Sequence, residues 1–251
     1  MEILALLVGF FSGYLSGHFG LGGGLITKPA LRLILNEPAL IVVGTPLLVN
    51  IPSAIVGATS YGRRGYVAWR YVVPLALSGV AGVIFGSWLT SWIGGSLILL
   101  ATAGVIFILG WRFIFERAAA EPVEPRTVGQ ASLAIAGAGI GLASGLLGLG
   151  GGFLLVPFLH MRLGLDMKTT FGTSLAVVGA ITVPGAVVHY SLGHVDLWLG
   201  LLLMLGVIPG AYLGSRAAMR LANKVLRTLF GLILIGAAVS LGYFELAALA
   251  S

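Results

Sequence analysis

The chain contains no cysteine, which excludes disulfide staples, thiol nucleophiles and cysteine-ligated metal. Charge is almost as scarce. Asp, Glu, Lys and Arg together make up 9% of the 251 residues, against roughly 25% in a soluble domain. A chain so poor in charge cannot cover a water-soluble fold. With 8 acidic residues and 4 histidines, no paired catalytic carboxylates and no nucleophile with its base emerge, which argues against a membrane enzyme. The basic residues are scattered between apolar segments rather than gathered with aromatics, so the net charge of +6 reflects topology and not nucleic-acid binding. The start, Met1-Glu2, has no basic n-region, and no cleaved signal peptide is expected.

What the chain does have is hydrophobicity: 58% apolar residues and a mean hydropathy of +1.07. Apolar runs near the ~20-residue bilayer span recur throughout, so the fold class is an all-α polytopic membrane protein embedded in the lipid bilayer. The first run, Ile3 to Phe19, meets Gly20–Gly24 and resumes from Leu25 to Leu35. Long segments follow at about 39–61, 67–89 and 96–115. Trp69 and Trp88 lie near the ends of the second of these, ~28 Å apart on a helix, as an aromatic belt requires. The stretch 116–130, with Pro122 and Pro125, is polar. Beyond it the pattern repeats: 131–147, a glycine run, 153–163, then 169–190, 197–217 and 225–244.

The repetition is an internal duplication. Ser16-Gly17-His18-Phe19-Gly20-Leu21-Gly22-Gly23-Gly24 recurs as Ser144-Gly145-Leu146-Leu147-Gly148-Leu149-Gly150-Gly151-Gly152, at an offset of 128 residues (16 to 144). Each copy runs on to a proline, Pro29 and Pro157. The same offset carries Gly44-Thr45 onto Gly172-Thr173 and Gly82 and Gly86 onto Gly210 and Gly214. The expected organisation is residues 1–115 as the first repeat, 116–130 as a cytoplasmic linker and 131–251 as the second repeat.

Charge decides how the repeats are oriented. With four full spans per copy, Lys28, Arg32, Arg162, Lys168, Arg216, Arg220, Lys224 and Arg227 fall on one side and the other six of the 14 basic residues on the other. That is no bias. If each glycine-broken segment is instead a re-entrant hairpin followed by three spans, only Lys28 and Arg32 lie opposite the rest. Three spans is an odd number, so the second copy is inverted. The 11-residue arms, ~16 Å long, are also too short to cross. With the basic majority taken as cytoplasmic, both termini and the Ser191–Asp196 turn are extracytoplasmic; the expected location is a bacterial cytoplasmic (inner) membrane.

Inverted repeats with broken helices are an architecture of secondary transporters. The helices that begin at Leu25 and Phe153 open with unpaired N–H groups and the positive end of the helix dipole. Two such ends in one cavity suit an anion. The candidate substrate-binding residues are therefore Gly20, Gly22, Gly23, Gly24 and Leu25 with Gly148, Gly150, Gly151, Gly152 and Phe153. Thr45, Thr173 and Ser174 supply hydroxyls, or else bond back to their own helices. Asn50, one turn deeper, donates to substrate or ties helices together. The alternative for the glycine runs is a tight turn and close packing. A dinucleotide or phosphate loop fails, because no strand precedes the glycines and no P-loop lysine follows.

The remaining special residues have two readings each. His18 carries a coupling proton or is a hydrogen-bonded packing residue, the latter favoured. Lys28 attracts the substrate anion or snorkels to the surface, whereas Arg32, one turn further out, is expected to snorkel. His189, His194 and Asp196 read as a solvated turn without a clear metal ligand set. Gly9, Gly13 and Gly17, Gly137, Gly141 and Gly145, and Gly206, Gly210 and Gly214 read as close helix contacts. No cofactor and no metal site is expected, and the oligomeric state is open.

The twin Ser-Gly-x-x-Gly-Leu-Gly-Gly-Gly motifs, each followed by a proline, together with the Gly-Thr-Pro and Gly-Thr-Ser helices, resemble the TauE/SafE family of sulfite exporter-like membrane proteins. It is also described as the toluene sulfonate uptake permease family. The resemblance covers nearly the whole chain. It implies transport of sulfite, sulfonates such as sulfoacetate, or related carboxylated anions, with a proton or sodium ion as coupling partner. Members are described with about eight helices, from which the hairpin reading departs. The pairs His18/Leu146, Lys28/Val156 and Pro46/Ser174 make the half-sites unequal. The leading expectation is an alternating-access anion transporter, and the runner-up is a passive anion channel.

Overall fold

A computed structural model describes residues 2–115 and 128–250. It contains helices and no strand among the described residues. Residues 116–127, most of the expected linker, lie outside the described residues. The helices are α1 (Glu2–Phe19), α2 (Gly24–Leu33), α3 (Ala39–Gly62), α4 (Trp69–Leu89), α5 (Gly95–Phe115), α6 (Gln130–Leu147), α7 (Gly152–Pro157), α8 (Met167–Ser191), α9 (Leu197–Arg220) and α10 (Asn223–Ala250). Eight of these, all but α2 and α7, are long and apolar enough to cross a membrane. Their outward faces expose Phe11, Leu77, Ile108, Ile135 and Val187, an apolar surface that water would not tolerate and lipid covers. The protein is an all-α polytopic membrane protein.

The short arms begin one residue earlier than the sequence suggests, at Gly24 and Gly152. The second arm also loses its regular winding: after Pro157 it continues as a π-helical turn, Phe158–Arg162. Proline alone does not cause this, since α2 carries Pro29 at the equivalent position and stays α-helical to Leu33.

Small residues set the packing. A Cβ added to Gly9, Gly13 or Gly17 of α1 would strike the backbone of Leu203, Val207 or Ala211 on α9. Gly137, Gly141 and Gly145 of α6 meet Leu75, Gly79 and Val83 on α4 in the same way. Position numbers rise together in both pairs, so α1 runs parallel to α9 and α6 parallel to α4. The close-contact reading of these glycines matches this geometry, in which dispersion between near-touching backbones replaces a hydrophobic drive that lipid does not supply.

The central pair is different. Gly44, near the start of α3, lies against the carbonyl of His194, just past the end of α8. Gly172, near the start of α8, lies against the carbonyl of Tyr66, just past the end of α3. These helices therefore run antiparallel. Each of these contacts has its counterpart 128 residues away: Gly44 and His194 correspond to Gly172 and Tyr66.

Candidate functional site

The two glycine breaks touch each other between α3 and α8. A Cβ on Gly152 would lie 2.3 Å from the Leu21 carbonyl oxygen and 2.6 Å from that of Gly20. One on Gly24 would lie 3.3 Å from the carbonyl oxygens of Gly148 and Leu149. The turn of the second break needs glycine twice in succession, with φ of 77° at Gly150 and 81° at Gly151. Gly23, by contrast, sits in ordinary helical space, and a side chain there would press only on Val49. Leu25 and Phe153 are buried apolar residues at the head of each arm.

Asn50 lies between the breaks and serves both. The Gly24 N–H donates to its Oδ1 at 2.7 Å. A peptide N–H can only donate, so the atom it meets must be the oxygen, and this fixes the amide's orientation. The Nδ2 group then faces the second break, 2.2 Å from where a Gly150 side chain would begin, and has no hydrogen-bond partner. Thr182 Oγ1, 3.5 Å from that same point, is also unpartnered. So is Ser144 Oγ, whose Cβ lies 3.3 Å from a Cβ added at Gly151. All three side chains are fully buried. Unmade hydrogen bonds at such depth cost about 1–3 kcal/mol each, so their clustering at one turn calls for a reason.

At the first break the hydroxyls are paired, and only the ring nitrogens of His18 lack a partner. Ser12 and Thr27 hydroxyls donate to the Gly23 carbonyl at 2.6 and 2.7 Å, Ser16 pairs with Ser53, and Ser174 donates to the Gly20 carbonyl at 2.7 Å. The difference follows from the sequence. At the 128-residue offset Thr182 matches Ala54 and Asn50 matches Val178, while Ser53, the partner of Ser16, matches Ile181 and leaves Ser144 alone.

Other expected site residues sit elsewhere. Thr45 Oγ1 accepts from the Asp196 N–H at 3.1 Å and Thr173 Oγ1 from the Ala68 N–H at 2.9 Å, so each ties a helix start to a loop rather than joining the break. Lys28 does not snorkel. It is fully buried, and its Nζ donates to the Leu147 carbonyl at the end of α6. Arg32 is not a free surface seeker either: its Nε donates to Glu245 Oε1 of α10 at 2.6 Å, and Glu245 is buried. His18 packs against Tyr14 and Phe19, with ring centroids 5.6 and 4.5 Å away, and neither ring nitrogen finds the expected hydrogen bond.

The expected solvated turn is also corrected. His189 is fully buried and His194 nearly so. His189 Nε2 lies 2.9 Å from the Gly145 carbonyl and its Nδ1 lies 3.3 Å from His194 Nδ1. Beyond them, burial and the negative charge of Asp196 raise the Glu37 carboxyl above its ordinary range. A cavity of about 600 Å³ lies between α3 and α8, lined by Ala54, Ile55, Thr59, Arg63, Trp69 and Gly179 among others. It holds none of the residues nominated from sequence.

Eight long apolar helices around two touching helix breaks, the second lined by buried hydrogen-bond groups without a partner, define a polytopic membrane protein. The comparisons say which kind. The model of the family "Sulfite exporter TauE/SafE" matches residues 5–241, and the chain belongs to that family of membrane transporters. A "Probable membrane transporter protein" of Xylella fastidiosa (strain 9a5c) is 30% identical over 240 residues, 93% of this chain and 90% of the relative. The "Probable membrane transporter protein YdhB" of Bacillus subtilis (strain 168) is 28% identical over 90% of this chain and 94% of its own length. A "Probable membrane transporter protein MJ0441" of Methanocaldococcus jannaschii is 23% identical, covering 92% and 91%. No solved structure matches the chain significantly.

Proposed function

We propose that the protein is a secondary transporter of small anions, of the sulfite, sulfonate or related carboxylate class, which binds them at the paired glycine breaks and works by alternating access. The observation that carries this reading is the orientation of Asn50. An amide nitrogen is a donor only, so whatever completes its bonds must accept, and hydroxyls from Thr182 and Ser144 add donors on the same turn. A cation would meet the wrong end of the amide. These neutral donors suit an anion, and Lys28, buried with its Nζ on the Leu147 carbonyl, lies next to the same break.

The proposed frame is a pair of inverted repeats, residues 1–115 and 131–251, each a re-entrant hairpin and three spans. The antiparallel run of α3 and α8 supports the inversion. α1 starts on the same side as α9, and α2 ends beside α10's last turns through Arg32 and Glu245, which supports a hairpin that returns to its side of entry. Arg63 and Arg64 support a cytoplasmic α3–α4 turn, with the α8–α9 turn and both termini outside.

The test is thermal unfolding of the purified protein in detergent with sulfite, sulfoacetate, methanesulfonate, acetate and sodium chloride. A substrate at 100 times its Kd should stabilise the fold by about 2.7 kcal/mol, and the effect should saturate. Saturable stabilisation by sodium and by none of the oxyanions would overturn the anion reading.

A further inference from the structure

The ends of α1 and α6 are equivalent positions held in chemically different ways. The last carbonyls of a helix have no partner within it and need outside donors. On α1 the Tyr61 hydroxyl donates to the Gly17 carbonyl at 3.1 Å. On α6 the equivalent carbonyl, Gly145, is met by His189, and 61 and 189 are themselves equivalent positions. Tyr66, next in that turn, corresponds to His194. Tyrosine performs the bracing in one half, so bracing alone does not call for histidine in the other.

The hydrogen bonds fix how the pair holds its protons. A carbonyl only accepts, so His189 Nε2 carries a hydrogen. In the neutral ring its Nδ1 is then an acceptor, and His194 Nδ1 must donate across the 3.3 Å contact. That leaves His194 Nε2 as the free basic site, on a residue 6% exposed at the α8–α9 turn. We propose that His189 and His194 are the proton-coupling site of this transporter, loaded from the side of the α8–α9 turn.

A proton from solution adds to His194 Nε2. The His194 Nδ1 proton then passes to His189 Nδ1, leaving His194 neutral in its other tautomer and His189 an imidazolium. Lys28 on α2 and His194 are the charged or titratable groups that act on His189. α6 carries no titratable residue, and Asp196 and Glu37 lie beyond His194 at the turn. α3 and α4 keep Tyr61, Arg70 and Tyr71 at their opposite ends, and α9 does the same with Tyr212, Arg216 and Arg220. The added charge therefore sits beside Lys28, and both groups hold the end of α6, through the Gly145 and Leu147 carbonyls. Repulsion between them loosens that end, and an anion at the adjoining break offsets it. Proton and anion are thus taken up together.

The proposal adds a coupling ion to the anion-transporter reading and rests on it for the word coupling, but its test needs no anion. Hydrogen exchange of the detergent-solubilised full chain is measured over 142–152 and 188–197 from pH 5 to 8, corrected for intrinsic rates. Wild type should lose protection at least tenfold on acidification. His189→Tyr, which copies the other half and keeps the bond to Gly145, should abolish the pH dependence without lowering protection at pH 8. If His189→Tyr does not fold, His194→Tyr carries the same expectation. No pH dependence in wild type, or undiminished dependence in the folded variants, overturns the proposal. A pH effect that obeys it while every anion fails to stabilise the protein would overturn the anion reading instead.

Discussion

Asn50→Asp should abolish anion binding while leaving the protein folded. The carboxylate keeps an acceptor for the Gly24 N–H and nearly the same volume, so the bond that anchors α2's first turn survives. What changes is the face toward Gly150, where two N–H donors become an anionic oxygen. A charge-assisted hydrogen bond worth about 1.5–3 kcal/mol is lost and repulsion takes its place. Affinity for whichever oxyanion stabilises wild type should fall more than about 100-fold, equivalent to ~2.7 kcal/mol. Thr182→Val and Ser144→Ala should each lower it by about 1 kcal/mol, measured in the same thermal titration. Wild-type affinity in Asn50→Asp would mean the ligand sits elsewhere.

Arg32→Gln should be the most destabilising single charge substitution in the molecule. It leaves Glu245, which is fully buried, without its cation, and breaking one side of a buried pair costs about 3–5 kcal/mol. Removing the second charge as well should recover most of that loss, since two neutral amides can still bond each other. The double variant Arg32→Gln/Glu245→Gln should therefore unfold at a higher temperature than Arg32→Gln alone. A double variant no better than the single would show that the pair is solvated and contributes little.

Much of this molecule is legible in the chain because a duplication announces itself through what the halves share. The glycine breaks, the small-residue seams and the helix boundaries all recur at one offset, and each repeats a backbone requirement that both copies must meet. The polar residues at the second break were harder to find because they break the repeat. Thr182 stands against Ala54, and Ser144 differs from Ser16 only in what its neighbour Ser53 has become. His189 hid as the edge of a polar turn, because sequence hydropathy cannot tell the last turn of a buried helix from the first residues of a loop. Setting it against Tyr61 at the repeat offset is the signal that exposes it. Glu245 gave no local sign at all: its partner is 213 residues away and only the fold brings α2 to α10. Thr45 and Thr173 are the opposite case. They are shared by both halves because both halves need the same loop anchored to the same helix start.

In the proposed topology each glycine break turns the chain back to the side it came from, so that two inverted hairpins meet inside the membrane. The absence of native cysteine makes it directly testable. Single cysteines at Asn36, Gly193 and Gly65, all exposed, are labelled in intact cells with a membrane-impermeant maleimide. Asn36 and Gly193 should label from outside, and Gly65 only after the membrane is opened. Labelling of Asn36 and Gly193 from opposite faces would contradict it.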